Sequence, residues 1–567
     1  MNQEQWDKET DLLVVGAGPA GMTAALVGSI EGLDVTICEK GKQLGGTGAT
    51  SAGTLWIPGN SQGKEAGFKD SQEEGAKYLE SLIGPDSRSN HRSVYLRDGP
   101  TVIDYLTRHS DVKFESCGTH PDYRNNIGGA ALSGRAIIPK NFDGRKLGSD
   151  FSRVKPPIQE FLLMGGMMVG KLDIVNLLKR YKSFSAFVYS ARIVIRYLID
   201  RFRYKRGTRL VMGNALIARL FYSLRKRKVS ILFESPIEEL VKEGKTIKGA
   251  VLRTENGKLR ILARKGVILA TGGLSHNAKY RRVFMPESQP IYSLAAETNA
   301  GEGVSIAEGV GGIVNSEGQQ SAAFWTPVSV TKRADGSKGL FPHLAMDRAK
   351  PGLIAVNAAG RRFVNEAVSY HDFVEGMYSS HKTVNTMPAW LICEALFVTK
   401  YGLGAIRPET RIFSGYVKSG YLKLANTLEE LALKIEVDAS GLIDSVGRNN
   451  RFAISGTDED FGKGDLDLNR FNGDPSNKPN PCLGIIEKGP FAAMAVWPAD
   501  IGCSIGIAAD TECRVLGSDD KPITGLYTCG NDMASIMSGA YPGPGTTLGP
   551  AIVFGWRVAM QLAGKLS

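Results

Sequence analysis

The chain has 567 residues, 42% of them hydrophobic and 22% charged, a composition that excludes disorder over most of its length and allows roughly two to four domains. Glycine is abundant, 67 residues against a usual level of ~7%, with no Gly-X-Y period, which excludes a collagen-like chain and predicts tight turns and close backbone approaches. The net charge of +11 raises a polyanion or an anionic surface as a partner. The seven cysteines are scattered and contain no Cys-x-x-Cys pair, so neither a disulfide framework nor a zinc or other metal site is expected, and a reducing cytoplasm fits. The N-terminal residues lack a basic stretch followed by a signal-type apolar core, and no run of 18 apolar residues occurs, so no secretory peptide and no spanning helix are expected.

In chain order, residues 11–15 (DLLVV) read as a buried strand, followed by Gly16-Ala-Gly18-Pro-Ala20-Gly21 and an apolar helical run. A second strand, 34–38 (DVTIC), ends at Glu39 and Lys40. This is a βαβ unit: Gly16 permits the tight turn, Gly18 lets a pyrophosphate approach the backbone, and Gly21 lets the helix pack on the strand. The helix N-terminus offers unpaired N–H groups to phosphate, and Glu39 is placed to accept from a ribose. NAD or FAD would suit this unit alone. A second Gly/Ser/Thr-rich loop with Gly45, Gly46, Thr47, Thr50, Ser51 and Gly53 can wrap a second phosphate and a ribityl chain. A strand at 266–271 ending in Gly272 and Gly273, and a return strand ending in Gly530, Asn531 and Asp532, add two further strand-to-glycine turns. Three such segments spread over the chain favour FAD, held non-covalently because no attachment signal is visible. Short strands at 231–233 and 249–253 predict a small β-meander beside the nucleotide domain. The predicted fold is α/β: a Rossmann-like FAD-binding domain (1–325 plus 490–567) with an inserted α+β substrate domain (326–489).

The positive charge is local. Residues 155–228 hold 17 Lys and Arg against three acids, a net +14 that leaves the rest of the chain at −3. The segment is also apolar, and its stretch 184–202 predicts a helix with Arg192, Arg196 and Arg201 along it and Arg203 just beyond. Basic and apolar residues on one helix suit an anionic membrane surface, while a helical cap with a solvated basic face remains open. No groove-reading element points to nucleic acid.

Tyr541-Pro-Gly-Pro-Gly545, with the preceding Gly530-Asn531, resembles the flavoprotein 3-ketosteroid Δ1-dehydrogenases, as does Gly360-Arg-Arg-Phe-Val-Asn365-Glu366-Ala-Val-Ser-Tyr370. The resemblance covers most of the chain, including the glycine loops and Pro121-Asp122-Tyr123; the FAD motifs alone mark only the wider fumarate-reductase-like superfamily. It implies 1,2-desaturation of a 3-ketosteroid, with Tyr370 as base, Tyr123 assisting it, and flavin N5 taking the hydride. Tyr541 and the N–H of Gly545 would polarise the ketone, and Thr547 and Leu548 would border the cofactor. The chemistry agrees: a neutral tyrosine is a good donor to a ketone, and a backbone N–H beside glycine completes an oxyanion hole. His371 beside Tyr370 reads as structural, and Asn365-Glu366 as loop organisers. Rival substrates are a cyclohexanone-type ketone, a steroid desaturated at the 4,5-bond, or a dicarboxylate handled as in fumarate reductases. The electron acceptor is expected to be a quinone or another respiratory acceptor, reached through peripheral association with the inner face of the cytoplasmic membrane.

Overall fold

The computed structural model describes residues 5–333, 335–344 and 347–566. The first apolar run forms the strand Lys8–Val15, flanked in parallel by Val35–Cys38 on one side and Gly257–Leu269 on the other. Ser230–Leu232 and Pro522–Thr528 extend the two flanks, again in parallel. The register pairs Val15 with both Cys38 and Leu269, Cys38 with Leu232, and Leu269 with Thr528, so five strands end along one edge. Both faces are covered, which is why these strands are nearly continuous in apolar residues. Leu12, Val14, Ile37 and Ile268 pack against the helices Pro19–Ile30, Met212–Lys226 and Leu548–Leu562. Leu13, Val15, Val267 and Leu269 face a second core, shared with residues of another sheet.

The meander is made by Ile237–Glu243, Thr246–Thr254 and the first half of Gly257–Leu269. The segment 231–233, expected in it, corresponds instead to Ser230–Leu232 on the parallel edge. The helix Met212–Lys226 just before it is a crossover, and a crossover delivers the chain to a parallel partner. Strand periodicity identifies a strand and not its partner.

The other sheet is mainly antiparallel. Phe491–Cys503 runs through its centre, with Ala323–Lys332 and Lys338–Pro342 on one side and Ala389–Glu394 and Leu353–Val356 on the other. The register slips between Phe324 and Trp325, a bulge of the kind that re-aims side chains near functional sites. The helix Tyr370–His381 packs on this strand; Ser369 caps it by accepting from the N–H of Asp372 (3.0 Å).

The basic segment divides in two. Met212–Lys226 is a core helix, with Leu216, Ile217, Leu220, Phe221 and Leu224 buried. Lys171–Lys179 and Phe184–Arg201 form a satellite with its own small core of Met167, Val169 and Tyr197. Its outer side exposes Leu172, Tyr181, Phe187, Ile195, Leu198 and Ile199, and Phe184 and Phe202 are 82% and 89% exposed. Among the described residues, no helix is long and apolar enough to cross a membrane.

Candidate active site

The shared edge of the parallel strands gathers the glycine turns, the position at which open α/β sheets bind ligands. Gly16 has φ +105°, and a β-carbon there would lie 2.3 Å from the carbonyl oxygen of Ala270. At Gly21 a β-carbon would come within 2.1 Å of the Gly16 carbonyl oxygen, so the helix Pro19–Ile30 is tight against the turn. Gly18 faces open space at the N-terminus of that helix. Gly45 donates its N–H to the Ala17 carbonyl (2.8 Å), joining the two loops; it caps the short helix Gly46–Thr50 in a left-handed conformation, and Gly46 also faces open space. Thr47 Oγ1 accepts from the N–H of Ala296 and from Asn299 Nδ2, Thr50 Oγ1 donates to the Thr47 carbonyl, and Ser51 Oγ donates to the Gly48 carbonyl and accepts from the N–H of Gly53. Glu39 accepts from the N–H groups of Ala17 (2.9 Å) and Gly41 (2.8 Å), and burial raises its pKa. Lys40 is paired with Glu302.

Gly272 and Gly273 are left-handed turns against Asn299 and Cys503, and Gly530 abuts Ala20. The Asp532 carboxylate accepts from the N–H and hydroxyl of Thr271 and the N–H of Gly273 (2.7 Å), so it shapes that turn from within. Asn531 accepts at its carbonyl from Cys503 Sγ (3.3 Å). Thr547 immediately precedes the helix Leu548–Leu562, without a side-chain capping bond, and Leu548 is its first residue. Open backbone at Gly18 and Gly46, each beside a helix N-terminus, together with a buried acid at Glu39, makes a cradle suited to a diphosphate and a ribose.

A tyrosine cluster is assembled from three distant parts of the chain. The Tyr123 hydroxyl donates to that of Tyr370 (3.2 Å), and Tyr370 donates to Tyr541 (2.8 Å). Tyr123 and Tyr541 are stacked at 5.5 Å, and Tyr370 stands edge-on to both. Tyr370 is the first residue of its helix, a consequence of the Ser369 cap. The Tyr541 turn is fastened at Pro542, whose carbonyl accepts from the N–H of Tyr123 (2.9 Å) and the hydroxyl of Tyr78 (2.8 Å). Gly545 has φ +101°, and a β-carbon there would lie 2.4 Å from the Thr54 carbonyl oxygen, so this turn lies directly on the end of the second glycine loop. While Tyr370 is neutral and donates to it, the Tyr541 hydroxyl can turn its own proton to a ligand oxygen.

Burial raises the pKa of Tyr123, Tyr370 and Tyr541 well above the ordinary phenol value. His371 Nδ1 accepts from the N–H of Trp325 (3.2 Å), and burial lowers its pKa to about 4, so it is a neutral support beside Tyr541. Asn365 donates to the carbonyls of Phe461 and Gly462. Burial pushes the Glu366 carboxyl up, but Arg362 and Lys463 hold it down at about 2. Both residues organise the approach to Tyr370.

Sequence reasoning missed several supports. Phe324 stands edge-on to Tyr541, and its aim depends on the bulge, which no local pattern announces. Trp56 Nε1 donates to Asp122 (2.7 Å), which also binds Arg135 (2.6 Å), so the residue before Tyr123 is locked from two sides. A β-carbon at Gly543, inside the Tyr541–Gly545 turn, would lie 2.7 Å from the Trp56 ring, so the turn packs directly on it.

The fold and the loops define a flavoprotein oxidoreductase with FAD as cofactor. The chain belongs to the FAD binding domain family, whose sequence profile matches residues 11–548. It is 37% identical over 556 residues to the 4-oxocyclohex-2-ene-1-carboxylate 5-dehydrogenase of Sinomonas cyclohexanicum, covering 98% of this chain and 93% of that protein. It is 35% identical over 571 residues to the 3-oxosteroid 1-dehydrogenase of Mycolicibacterium smegmatis, covering 98% and 97%. The crystal structure of the 3-ketosteroid Δ1-dehydrogenase of Sterolibacterium denitrificans in complex with 1,4-androstadiene-3,17-dione superposes with a TM-score of 0.91 at 33% identity, over 99% of this chain and 100% of that one.

Proposed function

We propose that this protein is a 3-oxosteroid 1-dehydrogenase, which removes a proton from C2 and a hydride from C1 of a 3-ketosteroid. The observation that carries this reading is the hydrogen-bonded chain Tyr123–Tyr370–Tyr541 beside the Gly545 turn. Tyr541 and the N–H of Gly545 donate to the C3 oxygen and stabilise negative charge as it develops there, which makes the C2 proton acidic. Tyr370 in its phenolate form, with Tyr123 donating to it, takes that proton and becomes the neutral phenol. A bound flavin would supply the acceptor for the C1 hydride. Gly16, Gly18, Ala20, Gly21 and Glu39 would hold its adenosine diphosphate half. Gly45, Gly46, Thr47, Thr50, Ser51 and Gly53 would hold the flavin half, with Gly272, Gly273, Gly530, Asn531, Thr547 and Leu548 around it. Lys40 and Asp532 would act through Glu302 and the Thr271 turn. We assign the cofactor domain to 1–325 plus 490–567 and the substrate domain to 326–489, except that the strands Ala323–Lys332 and Phe491–Cys503 belong to the substrate domain's sheet, whose pairing crosses both expected boundaries.

The 37% identity to a dehydrogenase of a monocyclic keto acid supports a second reading, in which the substrate is a single-ring ketone. An anaerobic panel separates the two. Androst-4-ene-3,17-dione is expected to bleach the flavin and to give the 1,4-diene in the presence of an artificial acceptor. Bleaching by 4-oxocyclohexanecarboxylate alone would establish the second reading, and no bleaching by either ketone would sink both.

We also propose that the outer helices of the basic segment dock on the anionic inner face of the cytoplasmic membrane, where a quinone would accept the electrons. Exposed Phe184, Phe187, Ile195, Ile199 and Phe202 interleave with exposed Arg192, Arg201 and Arg203, an apolar stripe bordered by cations. Arg196 is partly committed to Asp143 (2.9 Å). The protein is expected to sediment with phosphatidylglycerol vesicles, and Phe184→Ser/Phe202→Ser combined with Gln at Arg192, Arg201 and Arg203 should leave it in the supernatant. Wild-type protein that stays free of such vesicles would exclude the docking.

A further inference from the structure

Arg348 is 1% exposed, and its guanidinium is held by main-chain carbonyls: Nε donates to His343 (2.9 Å), one terminal nitrogen to Glu366 (2.6 Å), and the other to Leu344 (2.8 Å) and Val368 (3.3 Å). Glu366 and Val368 lie just before the cap of the helix that begins at Tyr370. The guanidinium carbon also sits 4.7 Å from the centre of the Phe373 ring, one turn into the same helix. Arg348 therefore grips the start of this helix on both sides of Tyr370.

These partners are neutral, and among the described residues no carboxylate forms an ion pair with Arg348. The acids whose charges favour the cation make their side-chain bonds to other groups, apart from Asp347, which accepts from the Arg348 main-chain N–H (2.9 Å). Asp347 binds His343 (2.6 Å), Glu366 binds Arg362 and Lys463, and Asp372 binds Arg124 (2.7 Å). Burial lowers the Arg348 pKa to about 10 even though Asp347 and Glu366 favour its charge, so a cation is costly to keep here. A cation kept in this place suits a site that must at some stage carry negative charge.

We infer that Arg348 is a positioning residue for the base: its charge stabilises the phenolate of Tyr370 and sets the pH at which proton removal begins. Burial opposes ionisation of Tyr370 and Tyr123, and the Arg348 charge favours it in both. The other groups facing the phenol are the Tyr123 hydroxyl, the Tyr541 hydroxyl, neutral His371, and the Arg124–Asp372 pair, whose charges cancel. The helix N-terminus at Tyr370 adds its positive dipole end.

The inference rests on Tyr370 being the base, and the test separates the two. Flavin reduction by the ketone is followed against pH in wild type, Arg348→Gln and Arg348→Lys. The near-ultraviolet phenolate band is titrated in the same proteins without substrate, each against its Tyr370→Phe counterpart. Arg348→Gln, which keeps a donor to the carbonyls and loses the charge, is expected to move both the rate limb and the phenolate titration up by about one to three pH units, with the rate recovering at high pH. Arg348→Lys, which keeps the charge, should leave both within about half a unit of wild type. A uniform rate loss at every pH in Arg348→Gln, with an unmoved phenolate titration, would show a purely structural role. Should Arg348→Gln not retain flavin, Arg348→Lys decides: a limb raised by about a unit or more despite the retained charge overturns the inference. A Tyr370→Phe enzyme with wild-type rates would instead overturn the reading of the base, whatever Arg348 does to the phenolate titration.

Discussion

Tyr541→Phe is expected to yield folded, flavin-loaded protein whose rate of flavin reduction by the ketone is about 10²- to 10³-fold lower, the loss measured when one oxyanion donor is removed. The substitution deletes a single oxygen. The stacking on Tyr123 and the edge contact with Phe324 are made by the ring and persist, so the turn should keep its place. Two interactions disappear: the donor to the substrate oxygen, and the acceptor for the Tyr370 hydroxyl. The first strengthens as charge moves onto the ketone oxygen, so the effect should fall on kcat more than on KM. Stopped-flow reduction at saturating substrate reads it directly. A rate within about three-fold of wild type would mean that the oxygen is polarised by Gly545 and other donors alone, because a lost oxyanion-hole bond is worth far more than that.

The parts of this site that were legible in the sequence are those carried by backbone requirements. Gly16, Gly21, Gly45 and Gly545 stand where φ is positive or a β-carbon would collide with main chain, and such positions leave a local mark in the residue type. Tyr541 was legible because its turn is built from the same constraints. Tyr370 was readable only through the motif around it; its placement follows from a helix cap at Ser369, a signal that says where a helix starts and nothing about what the first residue meets. Tyr123 rested on three residues of resemblance, and its contact with Tyr370 spans 247 positions of chain.

The unread parts are those set by tertiary packing. The crossover helix decided the partner of Ser230–Leu232, the bulge decided the aim of Phe324, and Arg348 reached the site by lying under the helix. The basic segment shows the same limit. Its charge count ran through Lys228, but the helix Met212–Lys226 is core: Arg219 is bonded to the carbonyls of Lys140, Asp111 and Asn141, and the other cations sit at the far end, as at Lys226 with Asp111 (2.9 Å). Hydropathy along the chain marks both halves as apolar; only packing tells which apolar face is covered.

Tyr370→Phe should abolish proton removal while leaving ketone binding close to intact, since Tyr541 and Gly545 still meet the oxygen. A general base contributes about 10²- to 10⁴-fold, so flavin reduction should fall by at least that lower figure. The wild-type profile supplies an independent check. Burial holds the Tyr370 proton on more tightly than in water, so the basic form is scarce at neutral pH and its share grows as pH rises. The wild-type rate should therefore climb with pH until the phenol is ionised, and the climb should be absent from the residual rate of Tyr370→Phe. Loss of the climb with a small loss of rate would point to water or another group taking over as base. A full wild-type profile in the variant would remove Tyr370 from proton transfer, and Tyr123, the other hydroxyl bonded to it, would be the next group to test.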